Sequence, residues 1–339
     1  MKRGFLYAGQ GSQHPGMGAD LYEAYPAFRE VFDRVAKVVY FDLKTVCFQD
    51  PDGVLNQTSY TQPCMVAFAA GLTAVLREKG ILPAAAAGLS LGEYSVLHAA
   101  GVFDAETAVG LVAFRGKVME EAAAGRESAM MAVLNLEEEA LRAACEAASD
   151  LGVVTIANYN CPGQLVIGGE KAAVEKAAAL AKEKGARRCM PLKVSGPFHT
   201  PLMAPAGQAL QEYFKDIAFR EPQIPVFFNC LGDRAAGPKT DIPQLLVRQV
   251  QSSVYMEQCI RNMSVGPVGI DALVEIGPGK ALSGFAKKTV PDTPVCAVET
   301  VADVEGLQAA LDAACAKKEQ ERESRTQAAA ERAQKEESL

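Results

Sequence analysis

The chain has 339 residues, of which 49% are hydrophobic and 22% charged, and its formal net charge is −7. This mixture is typical of a globular protein with one large domain, or with a large and a smaller one. The negative charge argues against a general affinity for nucleic acid or anionic membranes, and no apolar run is long enough to serve as a signal peptide core or to span a bilayer. Nine scattered cysteines without a C-x-x-C pair predict reduced thiols in a cytoplasmic protein, rather than a disulfide framework or a zinc site.

In the first third of the chain, short apolar runs alternate with longer helical patterns. The run "GFLYA" (4–8) predicts a strand, and helices are predicted over 18–37, 64–79 and 105–124. The run "PAAAAG" (83–88) favours a helix by propensity, but we interpret it as a buried strand because of the motif that follows it. This alternation predicts an α/β architecture with a largely parallel sheet.

That motif is "GLSLGEY" (88–94), in which Ser90 lies between Gly88 and Gly92. In one interpretation the glycines mark a turn and Ser90 caps the next helix. In the other, Gly-x-Ser-x-Gly is a nucleophile elbow, and the glycines avoid collisions that a Cβ would cause with the strand and the helix. The five residues by themselves leave both interpretations open.

The middle of the chain has a different pattern, which predicts four strands and two helices in the order β-α-β-β-α-β. They are predicted at 130–136, 137–149, 153–158, 164–168, 170–184 and 186–194. This order is ferredoxin-like, so we assign 128–194 to a small subdomain inserted into a large catalytic domain formed by 1–127 and 195–312. Later strands are predicted at 225–230 and 272–277.

The C-terminal segment, 313–339, is dominated by charge. From residue 317 onward it carries six basic and six acidic residues and almost no apolar face. Such a composition cannot bury much surface, so we expect a frayed helix or a disordered tail, with a partner-binding arm as the alternative.

A serine nucleophile needs a base, and the chain has three histidines. His98 lies on the helix predicted to follow Ser90, about 12 Å along its axis, which is too far to accept the serine proton. His14 and His199 both lie in segments predicted to be loops, where catalytic side chains are common. The composition of the two segments favours His199 over His14 as the base only slightly.

The first loop, "GQGSQHPG" (9–16), begins like the dinucleotide motif G-x-G-x-x-G. His14 stands where the third glycine belongs, and no G-K-[ST] follows, so nucleotide binding is disfavoured. The loop's backbone N–H groups, with that of Leu91, would instead suit an oxyanion hole.

Arg115 falls on the apolar arc of its predicted helix, together with Leu111, Val118 and Met119. A buried guanidinium requires an anion, because an unpaired buried charge is very costly. One alternative is an internal ion pair with a carboxylate such as Glu275. The other is a site that holds a substrate carboxylate with two hydrogen bonds.

Eight stretches together resemble the malonyl-CoA:acyl carrier protein transacylase family. In chain order they are "GQGSQ" (9–13), "TQPCM" (61–65), "GLSLGEYS" (88–95), "FRGKVM" (114–119), "NYNCPGQLVIGG" (158–169), "VSGPFHTPLM" (194–203), "LVRQV" (246–250) and "EIGPGK" (275–280). Their order is that of the family, and the resemblance covers about residues 1–310. It implies a large α/β-hydrolase-like domain with a mostly parallel sheet and an inserted ferredoxin-like subdomain.

The resemblance also implies the reaction. Ser90 aligns with the family's nucleophile, His199 with its base, and Arg115 with the arginine that binds the malonyl carboxylate. The implied activity is transfer of malonyl from malonyl-CoA to the phosphopantetheine thiol of acyl carrier protein, through a malonyl-serine intermediate. No metal or bound redox cofactor is needed, the product would supply fatty-acid or polyketide synthesis, and we take the chain to be a monomer.

Other roles follow from the same resemblance. Gln10 and Leu91 align with the backbone oxyanion donors, and Asn160 falls in a loop that faces the family's site. Gln249 lies where the family has a glutamine near the histidine, whose ring is oriented by a backbone carbonyl rather than by an aspartate. Phe198 resembles the bulky residue that would crowd an α-methyl group.

An acidic carrier protein would be steered by basic residues around the mouth of the site. The candidates for this docking surface are Arg187, Arg188, Lys193, Lys287 and Lys288. Two rival functions are a serine esterase or thioesterase, which has no need of a buried cation at Arg115, and a non-catalytic carrier-binding subunit. Retention of Ser90, His199 and Arg115 together argues against the latter.

Overall fold

The structure is a computed structural model that describes residues 1–235 and 241–337, with side chains described up to residue 320. Its strands are β1 (Arg3–Tyr7), β2 (Pro83–Gly88), β3 (Ser128–Leu134), β4 (Val154–Cys161), β5 (Gln164–Glu170), β6 (Arg188–Pro191), β7 (Val226–Phe228), β8 (Asp233–Arg234), β9 (Val254–Tyr255), β10 (Ala272–Ile276) and β11 (Val295–Val298). Its α-helices are α1 (Ala19–Ala24), α2 (Pro26–Val35), α3 (Leu43–Phe48), α4 (Thr58–Glu78), α5 (Gly92–Ala99), α6 (Ala105–Ala123), α7 (Glu138–Glu146), α8 (Lys171–Glu183), α9 (Ala204–Tyr213), α10 (Ile242–Val250), α11 (Met256–Val265), α12 (Ala281–Thr289) and α13 (Val301–Glu337).

The larger sheet has the strand order β11-β10-β1-β2-β7-β8 and is parallel except for β8. The alanine run at 83–88 is its strand β2, paired in parallel with β1, so the strand prediction is confirmed. Alternate alanines of this strand pack on opposite sides of the sheet, Ala86 in one core cluster and Ala85 and Ala87 in the other. Burial on both faces outweighs the helix propensity of alanine here.

The smaller sheet has the order β6-β3-β5-β4-β9, and helices α7 and α8 share one hydrophobic core with it. Its first four strands and two helices follow one another in the predicted ferredoxin-like order. The fifth strand, β9, was not predicted, and it adds a parallel neighbour to β4 from outside 128–194. The strand predicted over 186–194 is confined to Arg188–Pro191. The proposed division at 128–194 therefore leaves β9 as a connection between the two parts.

Two helix predictions had wrong boundaries, and in each case a proline lies in the segment concerned. The helix expected over 18–37 is broken at Tyr25, and α2 begins with Pro26, which suits a first helical turn because it has no N–H to satisfy there. The helix expected from residue 64 begins at Thr58 instead. Pro63 therefore lies inside α4.

Helix α13 continues through most of the segment that was expected to be frayed or disordered. Leu307 and Leu311 are buried and attach the first part of the helix to the core. Beyond residue 320 the backbone is helical to Glu337, and residues 338–339 lie outside the described part of the chain. None of the helices within the described ranges is both long enough and apolar enough to cross a membrane.

Candidate active site

Ser90 lies on the sharp turn between strand β2 and helix α5. Its φ of 52° is in the left-handed region, which a non-glycine residue adopts only at a cost. A Cβ on Gly88 would collide with the backbone of Gly92, and a Cβ on Gly92 would collide with the carbonyl oxygen of Tyr7 in β1. The residue at the helix cap is Leu91, and no side chain caps that end. The geometry is that of an elbow, and the helix-cap interpretation is wrong.

Asn229, directly after strand β7, holds the elbow in this conformation. Its Oδ1 accepts a hydrogen bond from the Ser90 N–H at 2.6 Å, and its Nδ2 donates to the carbonyl of Gly88 at 2.7 Å. The side chain is fully buried. Sequence reasoning missed this residue, although an asparagine at the end of the apolar run "PVFF" was a usable signal.

His199 is the histidine that the fold brings to Ser90. Its Nε2 lies 2.7 Å from the Ser90 Oγ, and its Nδ1 lies 2.9 Å from the backbone carbonyl of Gln249. Because a carbonyl can only accept, Nδ1 carries the proton and Nε2 is free to accept one. Burial, with a contribution from Arg115, lowers the pKa of His199 to about 4, so the ring is neutral at neutral pH.

The other two histidines lie elsewhere. His14 contacts Glu299 and the carbonyl of Pro15, at the outer side of the glycine loop. His98 is directed to the carbonyl of Phe103. Neither imidazole is hydrogen-bonded to Ser90, in agreement with the preference for His199.

Arg115 on helix α6 is almost completely buried, with 1% of its surface exposed. Its Nη2 donates to the Ser90 Oγ and to the Gln249 Oε1, each at 3.1 Å. The guanidinium also lies over the ring of Tyr94, with 5.5 Å between its Cζ and the ring centroid. The Nε is buried without a hydrogen-bond partner.

Arg115 makes no ion pair with any carboxylate in the part of the chain that the structure describes. Glu275, the partner named in one alternative, instead accepts hydrogen bonds from the backbone N–H groups of Leu282 and Ser283. The expected internal ion pair with Glu275 is therefore wrong, because that carboxylate is already satisfied by the start of helix α12.

A cavity of about 170 Å³ opens between the two sheets in front of Ser90. The predicted site residues that line it are Gln10, Ser90, Leu91, Arg115, Asn160 and His199, and its wall also includes Gln62, Met130, Leu192, Val194 and Phe198. Gln249 lies behind this wall and is fully buried. The Oδ1 of Asn160 and the Oε1 of Gln62 are buried without hydrogen-bond partners. Gln62 belongs to the motif "TQPCM" (61–65), but the sequence did not predict it as a site residue.

The backbone N–H groups of Gln10 and Leu91 have no hydrogen-bond acceptor within the described ranges. The Gln10 side chain is tied to the Thr58 Oγ1 at 3.1 Å, which fixes the glycine loop beside the cavity. Gln10 and Leu91 line the same cavity as Ser90, and unpaired amides that point into it would stabilise a developing oxyanion.

Of the five predicted docking residues, the structure brings three together. Arg187, Arg188 and Lys288 line one cleft of about 260 Å³, at the end of the small sheet. Lys287 is exposed on the same helix as Lys288 but does not line the cleft. Lys193 is exposed in the segment after β6, whose residues Leu192 and Val194 reach the Ser90 cavity.

No cluster of three or more histidine, cysteine, aspartate or glutamate side chains placed to hold a metal occurs among the described residues. All nine cysteines are free thiols. The groups that the cavity offers are a hydroxyl paired with a neutral imidazole, backbone amides and a buried cation.

These groups, on a mostly parallel α/β sheet, are those that an acyl transferase with a serine nucleophile requires. The family model for the acyl transferase domain matches residues 4–331. The malonyl CoA-acyl carrier protein transacylase of Bacillus subtilis (strain 168) is 41% identical over 288 residues, 85% of this chain and 90% of its own. The chain belongs to the malonyl-CoA:acyl carrier protein transacylase family.

Solved structures agree with this assignment. The malonyl CoA-acyl carrier protein transacylase from Clostridium perfringens is 38% identical, with a TM-score of 0.88, and the match covers 92% of this chain and 98% of that one. A second structure is a type II PKS acyl-carrier protein in complex with its malonyl-transacylase. It is 38% identical, with a TM-score of 0.86, over 92% of this chain and 99% of that one.

Proposed function

We propose that this chain transfers a malonyl group from malonyl-CoA to the phosphopantetheine thiol of an acyl carrier protein. The observation that carries the proposal is the buried Arg115, whose Nη2 lies 3.1 Å from the Ser90 Oγ and which forms no direct ion pair in the described chain. The free carboxylate of a malonyl group would supply an anion in direct contact with the guanidinium. The names of the relatives support the same substrates.

In the first step the Ser90 Oγ attacks the malonyl thioester while the His199 Nε2 accepts its proton. The backbone N–H groups of Gln10 and Leu91 stabilise the oxyanion of the tetrahedral intermediate. The intermediate collapses as the C–S bond breaks, and His199 returns the proton to the leaving thiolate of coenzyme A. Malonyl is left as an ester on Ser90.

In the second step the carrier protein's thiol loses its proton to His199 and attacks the ester carbonyl. The C–O bond to Ser90 breaks, and the serine oxygen recovers the proton from His199. Arg115 holds the malonyl carboxylate throughout, so the same orientation serves both steps. Phe198, at the wall of the cavity, narrows the space next to the malonyl methylene and disfavours an α-methyl group.

The esterase alternative finds less support. A simple ester hydrolase has no need of a buried guanidinium beside its serine, because desolvating that charge is costly unless a ligand forms an ion pair with it. The direct test is an assay with malonyl-CoA and phosphopantetheinylated carrier protein, in which malonyl-carrier protein and free coenzyme A should appear in equal amounts. Release of coenzyme A and free malonate without labelled carrier protein would favour the hydrolase.

We further propose that the product supplies fatty-acid synthesis in the cytoplasm. The family's naming and the free thiols of the nine cysteines support this setting. Polyketide synthesis is the alternative pathway, favoured by the solved complex with a type II PKS carrier protein.

For the carrier protein, the proposed docking surface is the basic cleft lined by Arg187, Arg188 and Lys288. Three cations converge there from the start of β6, the residue before it and helix α12, so an acidic partner would gain more from this cleft than from scattered charges. Lys193 extends the positive charge toward the cavity mouth, next to Leu192 and Val194.

Reversing the charge at Lys288 by Lys288→Glu is expected to raise the KM for carrier protein by about 3- to 10-fold and to weaken its salt dependence. Lys287→Glu is the matched control, since it changes the neighbouring lysine of the same helix outside the cleft. The KM for malonyl-CoA should change little in either variant. Equal effects of the two substitutions, or an equal effect on both substrates, would count against a docking cleft.

A further inference from the structure

Glu93 is a fully buried carboxylate in the first turn of helix α5, on the same turn as Ser90. Two groups converge on it. Its Oε1 accepts a hydrogen bond from the backbone N–H of Asn229, and its Oε2 accepts one from the Gln249 Nε2 at 2.7 Å. Neither sequence reasoning nor the proposed mechanism uses this residue.

Both partners of Glu93 are donors, and this favours the ionised form of the side chain. An ionised carboxylate presents lone pairs to both donors and carries no hydrogen that competes with them. A protonated acid or an amide would direct a hydrogen at one of the two donors. The N–H of Asn229 belongs to the backbone and cannot reorient. The side chain of Gln249 can reorient, so it is the group that would move away from a hydrogen on Glu93.

Gln249 connects Glu93 to the substrate-binding groups. Its Nε2 donates to Glu93 and, at 2.8 Å, to the backbone carbonyl of Ser90. Its Oε1 accepts from the Arg115 Nη2 at 3.1 Å. An amide with its NH₂ held between two acceptors has its oxygen held toward the guanidinium. Glu93 therefore determines which end of Gln249 faces Arg115.

We propose that Glu93 is a positioning residue for substrate selectivity: through Gln249 it holds the Arg115 guanidinium in the orientation that binds the substrate's free carboxylate. This inference rests on the proposed malonyl transfer. Glu93 does not touch the reacting atoms, so its loss should weaken recognition of the carboxylate more than the chemistry at Ser90. The selectivity for malonyl over acetyl groups is the quantity it controls.

The ionisation of Glu93 makes this role depend on pH. Burial raises the pKa of Glu93 to about 8, against the opposing effect of its two hydrogen bonds and of Arg115. The charged and titratable groups that face it are Arg115, Tyr94, Cys230 and Cys259. Burial raises the pKa values of the tyrosine and both thiols, so these groups stay neutral where Glu93 titrates. The carboxylate is formed above its pKa and lost below it, so selectivity should rise as the pH passes through about 8.

The test compares kcat and KM for malonyl-CoA and acetyl-CoA in the wild-type chain and in Glu93→Gln, at several pH values. We expect the substitution to lower the malonyl-to-acetyl ratio of kcat/KM by about 10-fold, mainly through the KM for malonyl-CoA, which corresponds to the loss of one charge-assisted hydrogen bond. The wild-type ratio should rise with pH, and the ratio in Glu93→Gln should be flat.

Glu275→Gln is the matched control. Glu275 is equally buried and, like Glu93, accepts two hydrogen bonds, both from backbone N–H groups, but it is remote from Arg115 in the hydrogen-bond network. The Glu275→Gln variant should be less stable than the wild type, with an unchanged malonyl-to-acetyl ratio of kcat/KM. An unchanged malonyl-to-acetyl ratio of kcat/KM in folded Glu93→Gln would overturn the inference. A wild-type ratio that does not vary with pH would also overturn it, and that measurement needs no variant. If the wild type transferred no malonyl group at any pH, the proposed function itself would fail.

Discussion

Replacing His199 by alanine is expected to slow malonyl transfer by about 10²-fold or more. The imidazole is neutral, lies 2.7 Å from the Ser90 Oγ and is oriented by the carbonyl of Gln249, so it is the group placed to accept the serine proton. Without it, the hydroxyl must attack while it retains its proton. The measurement is the steady-state rate of malonyl-carrier protein formation, together with the rate of Ser90 acylation.

His14→Ala is the control for this prediction, because it also removes an imidazole from a loop near the cavity. That ring contacts Glu299 and not Ser90, so transfer should fall far less. If His14→Ala proved the more damaging of the two substitutions, the assignment of His199 as the base would be wrong.

Replacing Arg115 by alanine is expected to abolish the preference for malonyl over acetyl groups. A charge-assisted bidentate contact contributes about 1.5–3 kcal/mol, which predicts a change in selectivity of about 10- to 150-fold. Ser90, His199 and the two backbone amides remain, so acetyl-CoA should become a comparatively better substrate. The measurement is the ratio of kcat/KM for the two acyl-CoA substrates.

Arg115→Lys should recover only part of the loss, because an ammonium group cannot reproduce the two parallel hydrogen bonds of a guanidinium. Thermal melts must accompany the kinetics, since the side chain is buried and also contacts Gln249 and Tyr94. A folded Arg115→Ala enzyme that lost malonyl and acetyl transfer by the same factor would show that Arg115 has a structural role only.

The features that the sequence predicted well are those that local chemistry determines. The need for Gly88 arises within the five-residue motif, because its Cβ would collide with the backbone of Gly92, whereas a Cβ on Gly92 would collide with Tyr7 in the adjacent strand. The ferredoxin-like order of strands and helices is likewise readable from local periodicity. The strand at 83–88 is not determined locally, since its alanines favour a helix and only burial between two helical layers makes it a strand.

What could not be predicted depends on contacts between distant segments. The sequence offered Glu275 as one possible anion for Arg115, and only the fold shows that this carboxylate is held by the start of α12 instead. Glu93 and Asn229 resembled ordinary polar residues, and only the fold buries them against Ser90 and Gln249. Strand β9 has two residues, too few to show any periodicity, so it is visible only through its pairing with β4.

The measurement that tests the central claim most directly is the intact mass of the protein after mixing with malonyl-CoA in the absence of carrier protein. We predict a mass increase of one malonyl group per chain, located on Ser90, removed by addition of phosphopantetheinylated carrier protein and absent from Ser90→Ala. An unmodified mass under conditions of active transfer, or a malonyl adduct that persists in Ser90→Ala, would contradict the proposed malonyl-serine intermediate.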